Sequence, residues 1–351
     1  MNKLNLKFFT RKIFWVPTFI LTAIFLISIY GFQNRCESFE TTSTAMGTYV
    51  TQILCGPYAK SVCLDVNNKI KVLEHKISWR IPDSDIHKIN SSTEPVKVSK
   101  TTADILALST DIAKKSNGAF NPTILPLSSL WDFGGANNVP CKSEIENVLP
   151  MLNYSNLHVD LENLTAHLLE KSGIDLGAVG KGAACDVAIE EYKKSGASFG
   201  VISVGGSIGV FGHKPNNEPF KIAIRNPFDQ TDCNNSFAVL NISDGCVSTS
   251  GSYERSFCSD GKFYHHILDS STGYPTENDL VCVTVIHQSG VLTDLLSTAC
   301  FVLGVENSLP LLSQYDASAV FVNKDKNVFA SSKLKDRLKI TNSEFQVCKW
   351  Y

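Results

Sequence analysis

Residues 247–273 read VSTSGSYERSFCSDGKFYHHILDSSTG, and Asp294 and Thr298 follow closely. The stretch gathers hydroxyls at Ser248, Thr249 and Ser250 before Gly251, then Tyr253, Glu254 and Arg255. Imidazoles at His265 and His266 and a carboxylate at Asp269 precede a second turn at Ser271, Thr272 and Gly273. Histidine titrates near neutrality and can take a proton from a hydroxyl. Adjacent histidines in an apolar setting are more often structural than catalytic, and only one of the pair can face a given side of a strand.

Asp294 and Thr298 stand four apart, one helical turn, so both oxygens can face one point. Such ligands suit a hard cation such as magnesium, which keeps few protein ligands and takes the rest from phosphate and water. The competing reading is a plain helix with a cap-like Asp and a Thr bonded to its own backbone. Residues 174–186, IDLGAVGKGAACD, put Gly177, Gly180 and Gly182 around Lys181, a pattern for close backbone approach to phosphate. It is neither a Walker A loop nor a dinucleotide fingerprint, and a glycine turn before a helix accounts for the spacing equally. Residues 118–135, GAFNPTILPLSSLWDFGG, and Trp79 supply aromatics for a planar ring, or simply for a core.

The elements that must hold these groups follow from periodicity. Strands are expected at 49–54, 199–204, 208–211 and 280–286, and helices at 59–77, 103–116, 186–194 and 292–303. Helices and strands mix without a regular βαβ repeat, which predicts an α+β fold. Residues 37–45, polar and rich in Thr and Ser, read as a linker.

The chain has 351 residues, 43% of them hydrophobic and 19% charged, enough for a substantial core. A net charge of −2 excludes the basic footprint of a nucleic-acid binder. Lys3, Lys7, Arg11 and Lys12 precede an uncharged run at 13–33, about the ~20 residues of a membrane-crossing helix. The positive flank predicts a cytoplasmic stub, with the rest of the chain on the outer side of the cytoplasmic membrane. A cleaved signal peptide competes with this uncleaved anchor. Eleven cysteines include no CxxC pair and leave the pairing open; Cys185, Cys282 and Cys300 fall in apolar patterns and read as small buried hydrophobes.

Eight segments in order resemble the ApbE-type flavin transferases, the FAD:protein FMN transferases, across roughly residues 40–330. They are AMGT (45–48), SWRIPDSDIHKIN (78–90), GAFNPT (118–123), DLGAVGKG (175–182), VGG (204–206), STSGSYER (248–255), HHILDSSTG (265–273) and TDLLSTA (293–299). The resemblance implies a single flavin transferase domain at 46–345 behind an N-terminal transmembrane helix at 1–35 and a linker at 36–45. It implies FMN transfer from FAD to a threonine hydroxyl of an acceptor flavoprotein carrying a Ser/Thr-containing motif, with release of AMP. Magnesium would be held by Asp294, Thr298 and the Ala178 carbonyl, and His266 would serve transfer. Met46, Trp79, Ala119, Phe120, Asn121, Asp175, Lys181 and Leu268 would contact FAD, with Thr249, Ser250 and Gly251 beside them.

Four positions depart from the pattern the resemblance sets. Asn121, Ser207 and Ser252 replace residues that are commonly acidic, and Trp79 stands where Tyr is frequent. SGAS at 195–198 resembles an acceptor motif, and a match of four small residues arises readily by chance. Magnesium-dependent hydrolysis of FAD to FMN and AMP, or non-catalytic FAD binding, are the alternative functions.

Overall fold

The structure, a computed structural model, describes residues 38–169, 171–229, 231–232 and 235–351. The apolar run at 13–33, Cys36 and Cys233 lie outside the described residues. Helices are α1 (Ala59–Ile77), α2 (Asp85–Ser91), α3 (Lys100–Lys115), α4 (Leu125–Trp131), α5 (Lys142–Val148), α6 (Gly180–Lys194) and α7 (Gly290–Gln314). Strands run from β1 (Ser38–Ala45) and β2 (Thr48–Cys55) through β3 (Val96–Lys97), β4 (Leu157–Asp160) and β5 (Thr165–Leu168). They continue with β6 (Phe199–Val204), β7 (Ser207–Gly212), β8 (Phe220–Arg225), β9 (Ser236–Ile242) and β10 (Gly245–Gly251). The last are β11 (Ser256–Ser259), β12 (Lys262–His265), β13 (Leu280–His287), β14 (Ser318–Asn323), β15 (Asn327–Ala330), β16 (Leu338–Ile340) and β17 (Gln346–Trp350).

Nine strands form the main sheet in the order β1-β2-β6-β7-β10-β13-β14-β15-β17. Its neighbours are antiparallel except β15 and β17. Side chains alternate between its faces, as the pleat requires. Val283 and Val285 of β13, with Ala319 and Phe321 of β14, pack in the core shared with α6 and α7. Cys282 and Ile286, with Val320 and Val322, pack instead against β8 and β9, which with β16 make a small covering sheet. The run at 280–287 reads as continuously apolar because it is buried on both sides.

The α+β expectation holds, and so do most of the expected elements. Residues 38–45 do not form a linker: they are β1, the edge of the main sheet, paired with β2 from Ser38↔Cys55 to Ala45↔Thr48. Thr and Ser suit a half-exposed strand, and Met46 and Gly47 close the hairpin at φ 54 and 67. α6 begins six residues before the expected start, because Gly180 and Gly182 make its first turn rather than a loop ahead of it. α7 runs past the expected end through Gly304, where φ 75 and ψ 175 kink it. This helix is long and apolar enough to cross a membrane, yet Leu295, Leu296, Ala299, Cys300 and Phe301 are fully buried in the protein core. Burying a side chain such as Phe301 contributes about 1.5–3 kcal/mol.

Candidate active site

α6 and α7 meet through two glycines. A Cβ on Gly182 would lie 1.9 Å from the Gly290 carbonyl oxygen and 2.9 Å from Asp294 Cγ. Only glycine permits this approach, and it brings the Gly182 amide to 2.6 Å from Asp294 Oδ2. As a first-turn amide of α6 it has no acceptor within the helix, and Asp294 supplies one; Ala178, just ahead of the helix, is exposed. Asp186, one turn along α6, accepts from Ser289 Oγ (3.0 Å), Gly290 N (2.6 Å) and Val291 N (3.0 Å), so one helix caps the other. Burial outweighs these donors and keeps the Asp186 carboxyl above its ordinary range, with the charge of Asp294 adding to the effect.

Asp294 is 4% exposed, and its other oxygen accepts from Ser207 Oγ at 2.7 Å. Ser207 contacts Ser248 at 3.1 Å, and Ser248 contacts Thr293 at 2.7 Å. Beside this seam, Ser250 Oγ lies 2.8 Å from Ser297 Oγ and 3.3 Å from Thr298 Oγ1, which is partly exposed. Each oxygen of Asp294 retains one free acceptor position. The Asp294 carboxylate and the hydroxyls of Ser207, Ser250, Ser297 and Thr298 therefore line α7 where it faces α6, β7 and β10, hard oxygens of the kind a magnesium ion favours. Among the described residues no three His, Cys, Asp or Glu side chains form a metal cluster. A cation here would complete its shell from phosphate and water.

The two histidines stand in different surroundings, His265 as the last residue of β12 and His266 just past it. His265 is buried: its Nδ1 accepts from Ile267 N at 3.3 Å, its Nε2 donates to the Thr276 carbonyl at 3.2 Å, and its ring meets Phe301 edge-on. His266 has a buried Nδ1 with no hydrogen-bond partner. Desolvation, then the positive charges of Arg255, His265 and Lys181, pull its pKa down to about 3. A buried ring nitrogen without a partner, beside the cations Arg255 and Lys181, is a position that a bound group could complete.

The AMGT and VGG segments converge on Lys181. A Cβ on Gly205, itself at φ 55, would sit 3.1 Å from Thr48 Oγ1 and 3.2 Å from Lys181 Cδ, and one on Gly180 would sit 3.4 Å from Met46 Sδ. Thr249 bonds through its amide to Gly206 and through its hydroxyl to Thr284. A Cβ on Gly251 would strike the Tyr253 ring at 2.4 Å. Asp175 accepts from Gly177 N and from Ser128 Oγ, tying the glycine segment to α4. Trp79 is partly exposed, and the Arg80 guanidinium lies 4.1 Å over its ring. Ala119 is partly exposed, but its neighbours turn inward. The Phe120 ring is buried in the core, and Asn121 donates to the Leu152 carbonyl while accepting from Thr123 N and Oγ1. Those two side chains shape the loop. Leu268 packs with Leu127 and Trp131, and Trp131 stacks on Phe133, so these aromatics are core. A cavity of about 460 Å³ lined by Ser252, His265, Thr276 and Lys324 includes none of Lys181, His266, Asp294 or Thr298.

Sequence reasoning assigned no role to Asp186, Thr293 or Ser248, and noted Ser207 only as a departure. The signal for Asp186 was available: it lies four after Gly182, on the same helix face. The hydroxyl seam had no such signal, since its members come from β7, β10 and α7. Cys185, Cys282 and Cys300 are buried free thiols as expected; burial lifts all three, Cys282 and Cys300 to about 12. Cys55 is disulfide-bonded.

The chain is thus an α+β protein in which buried carboxylate and hydroxyl oxygens cluster on α7 around Asp294, and Lys181 and Arg255 flank His266. The model described as the ApbE family matches residues 46–321, and the chain belongs to that family. It is 30% identical over 360 residues to the FAD:protein FMN transferase of Treponema pallidum (strain Nichols), covering 95% of this chain and 98% of that one. It is 31% identical over 284 residues to the FAD:protein FMN transferase of Klebsiella pneumoniae (strain 342), covering 79% and 87%. The crystal structure of the ApbE protein from Thermotoga maritima superimposes with a TM-score of 0.79 at 29% identity, over 86% of this chain and 99% of that one.

Proposed function

We propose that the protein is an FAD:protein FMN transferase that joins FMN to a threonine hydroxyl of an acceptor protein and releases AMP, with magnesium. The observation that carries this reading is an oriented carboxylate at Asp294 together with a cation-flanked imidazole at His266 whose buried Nδ1 has no partner. Asp294, Thr298 and the Ala178 carbonyl would hold the magnesium, which would supply charge neutralisation at the diphosphate. Lys181 and Arg255 attract the same anion. In transfer, the acceptor oxygen bonds to the FMN-side phosphorus, the bond from that phosphorus to the bridging oxygen breaks, and AMP carries that oxygen away. The hydroxyl proton passes to His266, which is neutral at physiological pH because burial and neighbouring cations disfavour its charged form. A bound diphosphate offsets the positive charge of Lys181 and Arg255, so the imidazole becomes a stronger base once substrate is in place.

The sequence at 1–35 supports a membrane-anchored enzyme with its site on the outer side, and the disulfide at Cys55 fits an oxidising compartment. Incubating the protein with FAD, Mg2+ and an acceptor domain tests the reading by gel fluorescence and chromatography. FMN covalently attached to the acceptor is the expected product. Free FMN would make the protein a pyrophosphatase, and unchanged FAD would leave it a binding protein.

A further inference from the structure

We propose that Ser207 is a positioning residue that sets the Asp294 carboxylate for a divalent cation, a role that rests on the reading of Asp294 as a cation ligand. Ser207 opens β7 immediately after the Gly205–Gly206 turn and is 1% exposed. Its hydroxyl has one hydrogen, and an ionised carboxylate can only accept, so the 2.7 Å contact with Asp294 Oδ1 takes that hydrogen. The 3.1 Å contact with Ser248 must then be donated by Ser248, and the 2.7 Å contact of Ser248 with Thr293 by Thr293. Thr293 shares its hydrogen with the Gly290 carbonyl at 2.8 Å, a three-centre arrangement. The three hydroxyls thus form a chain with one polarity, running through β10 and β7 to Asp294. All three are at most 1% exposed.

The second oxygen of Asp294 is held by the Gly182 amide on α6, so two donors from different elements fix the carboxylate plane. An arriving cation meets a ligand that has already lost its rotation. Removing a partner that orients a metal ligand typically weakens metal binding by roughly 10- to 100-fold.

Mn2+ binding to the full-length protein, followed by electron paramagnetic resonance without FAD, tests the role. Ser207→Ala is expected to weaken Mn2+ binding by about 10-fold or more, and Ser248→Ala by less, because its hydroxyl acts one step further away. FAD binding in EDTA, read from flavin fluorescence, is expected to be unchanged in both. Unaltered Mn2+ affinity in Ser207→Ala overturns the role, as does an equal loss of Mn2+ and metal-free FAD binding, which would mark general damage. Absence of saturable Mn2+ binding by the unaltered protein, or binding that survives Asp294→Ala, overturns the cation reading and this role with it.

Discussion

The corner around Asp294 and the surroundings of His266 are built on opposite principles. At Asp294 both carboxylate oxygens, two serines and a threonine are buried and hydrogen-bonded, with contributions from α6, α7, β7 and β10. At His266 a ring nitrogen is buried with no partner, beside the exposed Arg255 and the partly exposed Lys181. A satisfied network is rigid before any ligand arrives, whereas an unsatisfied group is completed by what binds. On the function proposed above, the difference means a cation side that is preorganised and a proton-accepting side that its substrate would finish.

Replacing His266 should break the second half of that comparison with the largest effect. His266→Ala is expected to lower transfer by about 10²- to 10⁴-fold while FAD still binds, measured as acceptor-bound flavin against flavin fluorescence quenching. Equal transfer by this variant would remove the histidine from the mechanism. Gly182→Ala attacks the first half: its methyl group would collide with backbone at Gly290, so α6 and α7 must separate. A loss of about 1–3 kcal/mol in urea unfolding, together with weaker Mn2+ binding, is expected.

A smaller effect is the pH dependence of stability. The folded-state pKa of His265 is lowered from 6.5 to about 4, chiefly by burial. Above pH 6.5 the ring is neutral in folded and unfolded chains alike; below it the unfolded chain takes up a proton that the folded one refuses. Stability is therefore lost as pH falls from 6.5 towards 4, with the lowered His266 and His287 adding to the trend and the raised Asp186 opposing it. The urea midpoint should fall between pH 7 and about 4.5, and His265→Asn should flatten the slope. The smallest effect belongs to a region outside both: the exposed pair Lys100–Asp104, at 2.8 Å, should change stability by only about 0.3–0.5 kcal/mol in Lys100→Ala and leave transfer unaltered.

Much of this was legible along the chain. Periodicity placed α1 at its observed ends and the β-branched run at 280–286 placed β13, because burial on a helix stripe or in a strand leaves a local pattern. Residues 38–45 were misread because an edge strand, half exposed and rich in Thr, has the composition of a loop. Phe120 and Asn121 were expected at the flavin only through the family resemblance, and what a side chain such as Asn121 bonds depends on neighbours such as Leu152, distant in sequence.

What the sequence determined by itself was the set of chemical groups and the order of the segments that carry them: Asp294 and Thr298 one turn apart, the glycines around Lys181, and the paired histidines. Tertiary structure alone decided which carboxylate oxygen meets which donor, that the free first-turn amide of Gly182 is capped by Asp294, and that Ser207 joins Asp294. Those contacts join residues up to 112 positions apart, and no local periodicity records a contact made only when α6, α7 and the sheet close on one another.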